Sequence, residues 1–432
     1  MAKDKILVGI DIGTSKIATL IGTSPIIETP EKEVNVIGIS TVPSRGIRKG
    51  QVVDIEEATQ AITESLEAAE RMAGYSVSSA YISVGGNHIA SQNSHGVVAV
   101  AEPEKEINML DVERVIDAAK AVSLPSSREI LHILPRGYVV DSQEGIKDPI
   151  GMTGVRLEVD THLITGGSTA LRNLSKCVQE VGVNVEGLVF SGLAASWAVL
   201  SETEKELGTV LVDIGGGTTD ISIYVEGSLA HSSVIPIGAK NITNDLAIGL
   251  RVSLESAEKI KLIVGEKPKQ IINIQEKEQK QEDEIDLSSL GLTEDVHKVS
   301  RKTLIEGIIK PRLNEIFTMV GLEIKKSGYA GLTPGGVVLS GGGALTIGAV
   351  EAVKRNLAMP VRIGIPIRIT GLIEEILNPS FATSIGLLHY GAIHSTGNEK
   401  KFSFSGLGHV MEKIPVKGVA GKFIDLIKSF LP

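Results

Sequence analysis

Hydrophobic and polar residues follow the same pattern in two distant segments of the chain. Residues 6–22 read ILVGIDIGTSKIATLIG, and residues 209–225 read TVLVDIGGGTTDISIYV. Each segment is a β-branched run ending in Asp, a Gly-rich turn and a second alternating run, which is typical of a β-hairpin. Recurrence of this pattern at a spacing of about 200 residues predicts two similar lobes.

The segments that follow each hairpin predict both strands and helices, and therefore α/β lobes. A helical periodicity over residues 55–73 stops at Gly74. The apolar residues 187–200 are too few to span a bilayer, which takes roughly 20 residues, and they predict a buried helix. In the second lobe we expect one helix over residues 243–264, a solvated hairpin or loop at QEKEQKQEDE, and a long helix over residues 293–326 that Pro311 kinks or divides.

Strand patterns around a single helix at residues 109–122 predict a small α+β domain inserted into the first lobe. The expected division of the chain is a first-lobe core of residues 1–83, 163–205 and 371–395, the inserted domain at 84–162, a second-lobe core of 206–242 and 330–370, a second-lobe insertion at 243–329, a flexible linker at 396–416 and an amphipathic helix at 417–432.

Composition narrows the possible functions. A chain of 432 residues with 42% hydrophobic residues can bury at least two cores. Its net charge of −9 offers no broad basic field, so nucleic acid is not an expected partner. One cysteine, Cys177, excludes a disulfide framework and fits a reducing compartment. The N-terminus lacks the continuous apolar core of a signal peptide, so a cytoplasmic location is expected.

The two Gly-rich turns are candidate phosphate sites. Gly13 permits a tight turn in which successive backbone N–H groups point at one anion. The acidic residue before each turn suits a hydrated Mg²⁺ better than a bare phosphate. Either turn alone is ordinary turn chemistry, but two facing turns would hold a magnesium triphosphate from both sides. The expected phosphate-binding residues are Asp11, Gly13, Thr14, Ser15, Lys16, Asp213, Gly215, Gly216, Gly217, Thr218, Thr219 and Asp220, with Asp11 and Asp213 holding Mg²⁺ through water.

A third glycine cluster lies in GGVVLSGGGALTIGAVEAV, where a buried strand is followed by Gly341, Gly342, Gly343 and a helical pattern. Its bare backbone can pass flat against a base or ribose, and the helix N-terminus adds partial positive charge. The segment lacks the Gly-Lys-Ser/Thr of a Walker loop and is not GxGxxG, so Rossmann cofactors are disfavoured.

The ordered motifs DIGTSK, DIGGGTTD and LSGGGAL resemble the phosphate-1, phosphate-2 and adenosine motifs of the actin, sugar-kinase and heat-shock chaperone superfamily. The flanking segments SRGIRKGQVVDIEEA, YISVGGNHI, AKNITNDLAIGLRVSLESAEKIK and IIKPRLNEIF resemble the FtsA family of bacterial cell-division proteins. The resemblance implies a two-lobed actin-like α/β ATPase fold that binds ATP and Mg²⁺. It places Glu258 and Lys261 on the helix that closes over adenosine, although the two could simply form an exposed ion pair. Lys240 completes the expected nucleotide-binding set.

One departure from the hydrolysing relatives concerns turnover. Chaperones and filament ATPases have a Glu or Gln that orients the attacking water. At the corresponding place, the segment VFSGLAASWAVL of this sequence has Ser191 and Gly192. Because Ser is a poor general base, we expect ATP binding with slow or negligible hydrolysis.

The last residues form a clean apolar stripe at helical spacing, opposite Lys422, Asp425, Lys428 and Ser429. Such a helix suits the surface of an anionic bilayer, although it could instead dock onto the body or onto a partner. The FtsA family ends in a membrane-targeting helix. The expected membrane-binding residues are Val419, Phe423, Ile424, Leu426, Ile427, Phe430 and Leu431.

By this resemblance the chain is a peripheral adaptor on the cytoplasmic face of the membrane at the division site. It would form actin-like filaments, bind the C-terminal tail of the tubulin-like protein FtsZ and contact later division proteins. The expected tail-binding residues are Arg301, Lys302, Lys310 and Arg312, each of which could equally belong to a solvated helix face. Two alternatives remain: a pilus-assembly ATP-binding protein and a small-molecule kinase of the same superfamily.

Overall fold

The computed structural model describes residues 5–25, 33–100, 106–265, 283–294 and 296–394. The expected linker at 396–416, the helix at 417–432 and most of the charged loop at QEKEQKQEDE lie outside these residues. Within them, no helix has the length and apolar character needed to cross a membrane.

The first predicted hairpin is confirmed and forms the centre of the first-lobe sheet. The six strands of this sheet are β1 (Lys5–Ile12), β2 (Lys16–Ser24), β3 (Val34–Pro43), β6 (Ser79–Val84), β11 (Asn184–Phe190) and β19 (Ile369–Gly371). Their order is β11-β6-β1-β2-β3-β19, with β1 antiparallel to β2 and parallel to β6. A short hairpin, β4 (Ile47–Arg48) and β5 (Gln51–Val52), lies outside this sheet.

The second hairpin is confirmed in the second-lobe sheet. The five strands are β12 (Thr209–Ile214), β13 (Thr219–Val225), β14 (Ser228–Ile235), β17 (Val337–Ser340) and β18 (Val361–Ile363). Their order is β14-β13-β12-β17-β18, and β12 is antiparallel to β13 and parallel to β17. Five strands of the first lobe have the same order and directions, so the prediction of two similar lobes is confirmed.

The first-lobe helices are α1 (Ile55–Ala73), α3 (Ser168–Glu180), α4 (Ser191–Val199), α5 (Glu202–Leu207), α11 (Ile373–Ile376) and α12 (Ala382–His394). Helix α1 begins after Asp54, whose side chain accepts a hydrogen bond from the Glu57 N–H, and it ends at Gly74 in the left-handed conformation, as predicted. The expected helix over residues 187–200 is wrong for its first four residues, which end strand β11 before α4 begins at Ser191. Both parts are apolar and largely buried, so periodicity could not separate them.

The inserted domain is a four-stranded sheet with one helix, as expected. Its elements are β7 (Ala90–Ala99), α2 (Met109–Lys120), β8 (Arg128–Val140), β9 (Gln143–Ile146) and β10 (Arg156–Gly167), and the sheet order is β7-β10-β8-β9. A small core of its own, which includes Val115, Leu157 and Val159, lies between the helix and the sheet. The exact boundaries of this and the other regions remain predictions.

The second-lobe insertion and helices differ from the expected pattern at two points. The elements are α6 (Ala239–Leu250), α7 (Leu254–Gly265), β15 (Glu284–Asp286), β16 (Lys298–Ser300), α8 (Arg301–Leu304), α9 (Lys310–Lys326) and α10 (Ala349–Leu357). The single helix expected over residues 243–264 is two helices, because Arg251 adopts a left-handed conformation with φ of 57°. The helix expected from residue 293 begins only at Arg301. The predicted irregularity near Pro311 is present as a π-helical turn, Ile305–Ile309, just before it.

Candidate functional site

The turns of the two predicted hairpins touch each other across the cleft between the lobes. A Cβ atom added to Gly216 would lie 2.1 Å from Ser15 Oγ, and one added to Gly217 would lie 2.8 Å from Thr14 Cγ2. The side chains of the first turn therefore rest directly on the bare main chain of the second. Each turn is closed by its own hydrogen bond, from Gly13 N to the Lys16 carbonyl and from Gly215 N to the Thr218 carbonyl.

Lys240, at the start of α6, connects both turns. Its backbone N–H donates to the Gly216 carbonyl over 2.8 Å, and its Nζ donates to the Thr14 carbonyl over 2.9 Å. Burial lowers the pKa of this ammonium group, which Glu258 partly offsets. Lys240 is therefore a cation placed between the two candidate phosphate turns.

The neighbouring hydroxyl groups support the turns. The Thr14 hydroxyl accepts a hydrogen bond from Gly50 N over 3.1 Å. Thr219 is fully buried and its hydroxyl donates to the Ile237 carbonyl over 2.8 Å. That bond ties β13 to the chain that enters α6, so in this arrangement the Thr219 hydroxyl serves the fold.

Asp11 lies at the carboxyl end of β1 and is held by two serines. Its Oδ1 accepts from Ser83 Oγ over 2.7 Å, and its Oδ2 from Ser384 Oγ over 3.5 Å. Burial raises the pKa of the Asp11 carboxyl, while the Ser83 hydrogen bond and the charge of Lys16 oppose that change.

Asp213 occupies the equivalent position at the end of β12. Its Oδ2 accepts from Thr383 Oγ1 over 3.0 Å. Burial raises the pKa of Asp213 to about 7, opposed by the Thr383 hydrogen bond, and the charge of Asp11 raises it further. The two carboxylates therefore share one electrostatic environment although they belong to different lobes.

Asp220, on β13, is a further carboxyl group and is buried, and within the described part of the chain its Oδ1 lacks a hydrogen-bond partner. Burial and the charges of Asp213 and Asp11 raise its pKa well above the usual value. An unpartnered buried carboxylate oxygen is costly. A cation is the ligand that would remove this cost.

Lys16 is a positive charge close to these carboxylates. Its Nζ donates to Ser380 Oγ over 3.2 Å and lies 3.7 Å from the centroid of the Phe381 ring. Burial lowers its pKa, while Asp11 and Asp213 raise it. Lys16 thus interacts with two carboxyl groups, and Asp220 adds a third acidic group that interacts with both of them. Among the described residues, however, no group of three or more His, Cys, Asp or Glu side chains is arranged to ligate a metal directly.

The third glycine cluster adjoins the second turn. Gly341 has a φ of 77°, and a Cβ there would lie 2.2 Å from Asp213 Oδ1. A Cβ on Gly343 would lie 2.3 Å from Ile214 Cγ2, whereas the space beside Gly342 is open to 3.8 Å. Two of these glycines therefore permit close packing, and the third leaves room. The predicted strand is β17, and the predicted helix begins with a 3₁₀ turn, Gly342–Leu345, before α10.

Glu258 and Lys261 do form an ion pair on α7, with 2.7 Å between Lys261 Nζ and Glu258 Oε2. Both also bond the hydroxyl of Thr243 on α6. The Lys261 side chain is 10% exposed and that of Glu258 44% exposed. The pair is thus partly buried and fixes the two helices to each other.

Ser191 and Gly192 begin helix α4 beside the cleft. A Cβ on Gly85 would lie 3.2 Å from Ser191 Oγ and 3.7 Å from Asp220 Oδ2, so the serine and the aspartate border one space. Gly192 leaves no room for a longer side chain, because an added Cβ would lie 2.6 Å from Ser222 Oγ.

The four expected tail-binding residues lie together near α8 and α9, and three of them have intramolecular side-chain bonds. Arg301 donates to the Val264 carbonyl, Lys310 bonds Glu306, and Arg312 forms a two-pronged ion pair with Asp245. Lys302 is exposed.

Several residues of the site were not predicted. They are the hydroxyl-bearing residues Ser83, Ser380, Thr383 and Ser384, together with Gly85 and Phe381. The sequence carried one signal for Ser83. The segment ISVGG around Ser83 is similar to the segment VLSGGG around Ser340. The two strands β6 and β17 are in fact equivalent in the two sheets. The residues of NPSFATS, which lead into the first turn of α12, carry no comparable pattern.

Comparisons with known proteins agree with this architecture. Residues 86–165 match the family model described as "SHS2 domain inserted in FTSA", and residues 210–386 match "Cell division protein FtsA". The cell division protein FtsA of Pseudomonas aeruginosa is 43% identical over 90% of this chain and 89% of its own length. That of Escherichia coli K12 is 36% identical over 99% and 97%, and that of Bacillus subtilis 168 is 36% identical over 96% and 90%.

Two solved structures share the fold at low identity. A PilM-PilN type IV pilus biogenesis complex matches with a TM-score of 0.62 and 14% identity, covering 89% of this chain and 98% of that chain. The ethanolamine utilization protein EutJ of Carboxydothermus hydrogenoformans matches with a TM-score of 0.51 and 17% identity, covering 90% of each chain. These likenesses concern the fold alone.

The expected two-lobed actin-like α/β fold with a small inserted domain is therefore confirmed. The pilus alternative has only the shared fold in its favour, whereas cell-division relatives match along nearly the whole chain. By sequence identity, by both family models and by the inserted domain, this chain belongs to the FtsA family of cell-division proteins.

Proposed function

We propose that this chain binds Mg-ATP between its lobes and serves in cell division as an actin-like adaptor that tethers FtsZ to the membrane. The observation that carries the nucleotide proposal is the contact of Ser15 with Gly216, which brings two Gly-rich turns to one point of the cleft. Opposed turns of this kind can present backbone N–H groups to a triphosphate from both lobes.

The phosphates would be held by the turns at residues 13–16 and 215–218, with the ammonium groups of Lys16 and Lys240 on either side. Lys240 bonds the Thr14 carbonyl in this structure, and it can exchange that carbonyl for a phosphate oxygen with little movement. Isothermal titration with ATP, ADP and GTP in the presence of Mg²⁺ tests the proposal. Absence of ATP binding at millimolar concentration would refute it.

The residues present fit a hydrated Mg²⁺. Asp11 is half-buried and Asp213 and Asp220 are buried, and Asp220 Oδ1 has no hydrogen-bond partner among the described residues. Because these groups are not arranged for direct ligation, Asp11 and Asp213 would hold the ion through its water molecules. Bound there, the ion neutralises phosphate charge.

The adenosine would lie between the glycine cluster and helices α6 and α7. Gly342 has open space beside it, and a bare main chain permits close approach of a flat base. Glu258 and Lys261 close the opposite side and are fixed through Thr243.

Turnover is expected to be slow. Ser191 supplies no carboxylate to activate water, and a serine hydroxyl is a poor general base. Single-turnover measurement with labelled ATP tests this expectation. A rate above about 1 s⁻¹, within the usual enzyme range, would contradict it.

The membrane part of the proposal rests on residues outside the structure. The apolar stripe of residues 419–431 binds weakly as one helix, because few side chains are buried before ordering costs are subtracted. Assembly into filaments would join many such helices and raise the avidity. Phe423→Glu is expected to release the chain from anionic vesicles. Lys422→Gln, on the polar face, is the control and should reduce binding only slightly.

The FtsZ tail would bind beside α8 and α9. Lys302 is the most accessible of the four basic residues, since Arg301, Lys310 and Arg312 already bond groups of this chain. Lys302→Glu is expected to weaken binding of an FtsZ tail peptide. Lys354→Glu, an exposed lysine of α10, is the matched control. Equal affinity of both variants would show that the tail binds elsewhere. In the proposed function, later division proteins contact the adaptor at the cytoplasmic face of the division site.

A further inference from the structure

The inserted domain belongs to the first lobe by chain connection, yet it also bonds the second lobe. Its partner there is the edge strand β14, whose outer side has no paired strand in the described sheet. Ser91 Oγ donates to the Ser232 carbonyl over 2.6 Å, and it accepts a hydrogen bond from Ser232 N over 3.2 Å. One hydroxyl thus satisfies both main-chain groups of an edge residue, which would otherwise stay unpaired.

His162, on β10, extends this contact. Its Nε2 lies 3.0 Å from Ser232 Oγ and its Nδ1 lies 2.7 Å from Asn93 Oδ1. Asn93 Nδ2 donates to the Ala230 carbonyl and to the Tyr329 hydroxyl. Because Asn93 Oδ1 can only accept, His162 Nδ1 carries the proton and Nε2 accepts from Ser232. The His162 and Ser232 ends of this network are buried, each 1% exposed, whereas Asn93 lies at its exposed rim.

The same face of the inserted sheet also bonds the first lobe. His132 pairs with Ile164 across β8 and β10, and Leu134 pairs with His162, which puts both histidines on one face. His132 Nε2 accepts from Phe190 N over 2.9 Å, at the junction of β11 with α4. One sheet therefore bonds β11 of the first lobe and β14 of the second.

We infer that the inserted domain is a staple across the two lobes, holding the cleft in the arrangement in which Ser15 rests on Gly216. If the lobes separated, either His162 would lose Ser232 and leave buried polar groups unpaired, or the whole inserted domain would have to shift with β14. The staple therefore couples the cleft to the inserted domain. This inference deepens the proposed function, since it makes nucleotide affinity depend on residues far from the nucleotide. Coupling is reciprocal, so the nucleotide also fixes the inserted domain.

The first test needs no nucleotide. Hydrogen–deuterium exchange is measured for the wild-type chain, His162→Ala and His95→Ala. His95 lies on the same domain, and among the described residues its ring bonds Asp160 and Glu158 of that domain, so it is a matched control. The staple predicts faster exchange at residues 13–16 and 215–218 in His162→Ala alone. A change confined to β7, β10 and β14 would overturn the inference.

A second test strengthens the contact and so does not depend on the stability of a weakened variant. Ser228 on β14 and Arg136 on β8 meet at the same interface, where Ser228 Oγ donates to the Arg136 carbonyl over 3.0 Å. Cysteines at both positions are joined with a short bifunctional thiol reagent, while the native Cys177 is buried. The cross-link should slow exchange at both turns relative to the unjoined chain. Identical exchange would overturn the inference.

ATP titration then separates this inference from the proposed function. His162→Ala should bind Mg-ATP roughly fivefold or more weakly than His95→Ala, the lower end of common coupling strengths. Equal affinity of these variants overturns the staple and leaves ATP binding intact. Failure of the wild-type chain to bind ATP overturns the proposed function, while the exchange data still decide the staple.

Discussion

The two lobes have the same strand order, yet their turns have opposite characters at the cleft. The first turn carries the side chains of Thr14 and Ser15, whereas the second, at Gly215, Gly216 and Gly217, is bare main chain. Side chains of one lobe fit against backbone of the other. The two lobes share a fold, but their turns therefore differ in role. The turn of the first lobe contributes side chains, and the turn of the second lobe leaves the space that these side chains occupy.

The outer edges of the two sheets also differ, in whether main chain or side chains pair with the edge strand. In the first lobe the edge of β3 pairs with β19 through the main chain. In the second lobe the equivalent edge, β14, is bonded by side chains of the inserted domain. The first lobe therefore covers its sheet edge with a strand of its own. The second lobe depends on the domain that is inserted into the sequence of the first lobe.

The largest effect is expected where bulk is added to the bare turn. Gly216→Val should weaken Mg-ATP binding roughly 10- to 100-fold, because the new side chain would occupy the space of Ser15. Titration calorimetry measures the change. Gly137→Val is the control, since a Cβ there meets nothing within 4 Å.

If the Ser15 side chain occupies the space that Gly216 leaves, the milder Gly216→Ala should also weaken Mg-ATP binding. Ser15→Gly should then partly restore that binding. A double variant whose loss equals the sum of the two single losses would show that the two turns act independently.

The next effect concerns the edge of the second lobe. Burial and the neighbouring His231, Arg136 and His132 lower the pKa of His162 to about 3. The unfolded chain then binds more protons than the folded chain between pH 6.5 and 3, so stability is lost as the pH falls through that range. At pH 5 the share of His162 is a loss of about 2 kcal/mol in the free energy of unfolding.

Denaturant unfolding of the wild-type chain and His162→Gln between pH 7 and 5 measures this share. The glutamine variant should lose less stability on acidification, while His95→Gln should not flatten the curve in this way. Parallel curves for the wild type and His162→Gln would show that the edge contact is not pH-dependent.

Removing Mg²⁺ tests whether the two aspartates are equivalent despite their different lobes. EDTA should weaken ATP binding by the wild-type chain about tenfold, close to 1.4 kcal/mol. Asp11→Asn and Asp213→Asn should each reduce that dependence. If only one variant does so, a single lobe holds the ion.

The smallest effect is expected at the exposed pair of Lys147 and Glu206. Lys147→Ala should change the free energy of unfolding by at most about 0.5 kcal/mol, since exposed ion pairs contribute little and are screened by salt. A larger loss that persists in 1 M salt would show that this contact contributes more than an exposed ion pair.

The hairpins and their turns could be predicted because the signal is local: an apolar run, an acidic residue and glycines that the turn requires. Where the signal was ambiguous, the prediction failed. Residues 187–200 are apolar and largely buried, so strand β11 and helix α4 look alike in sequence. The break between α6 and α7 falls at Arg251, a residue type that carries no turn signal, although it adopts a left-handed conformation.

The site was predicted where one segment supplies several residues and missed where single hydroxyls arrive from distant segments. Ser83 and Ser384 hold Asp11 across 72 and 373 positions of sequence. The contacts of His162 with Asn93 and Ser232 are equally remote. Serine and threonine are common on every surface, so only the fold reveals which of them face a carboxylate.

The proton on His162 has an evolutionary consequence. Position 93 must offer an acceptor and position 232 a donor for this one tautomer, so no member of the trio can change chemistry alone without stranding another. In an alignment of relatives, positions 93, 162 and 232 should therefore covary and be inherited as a set.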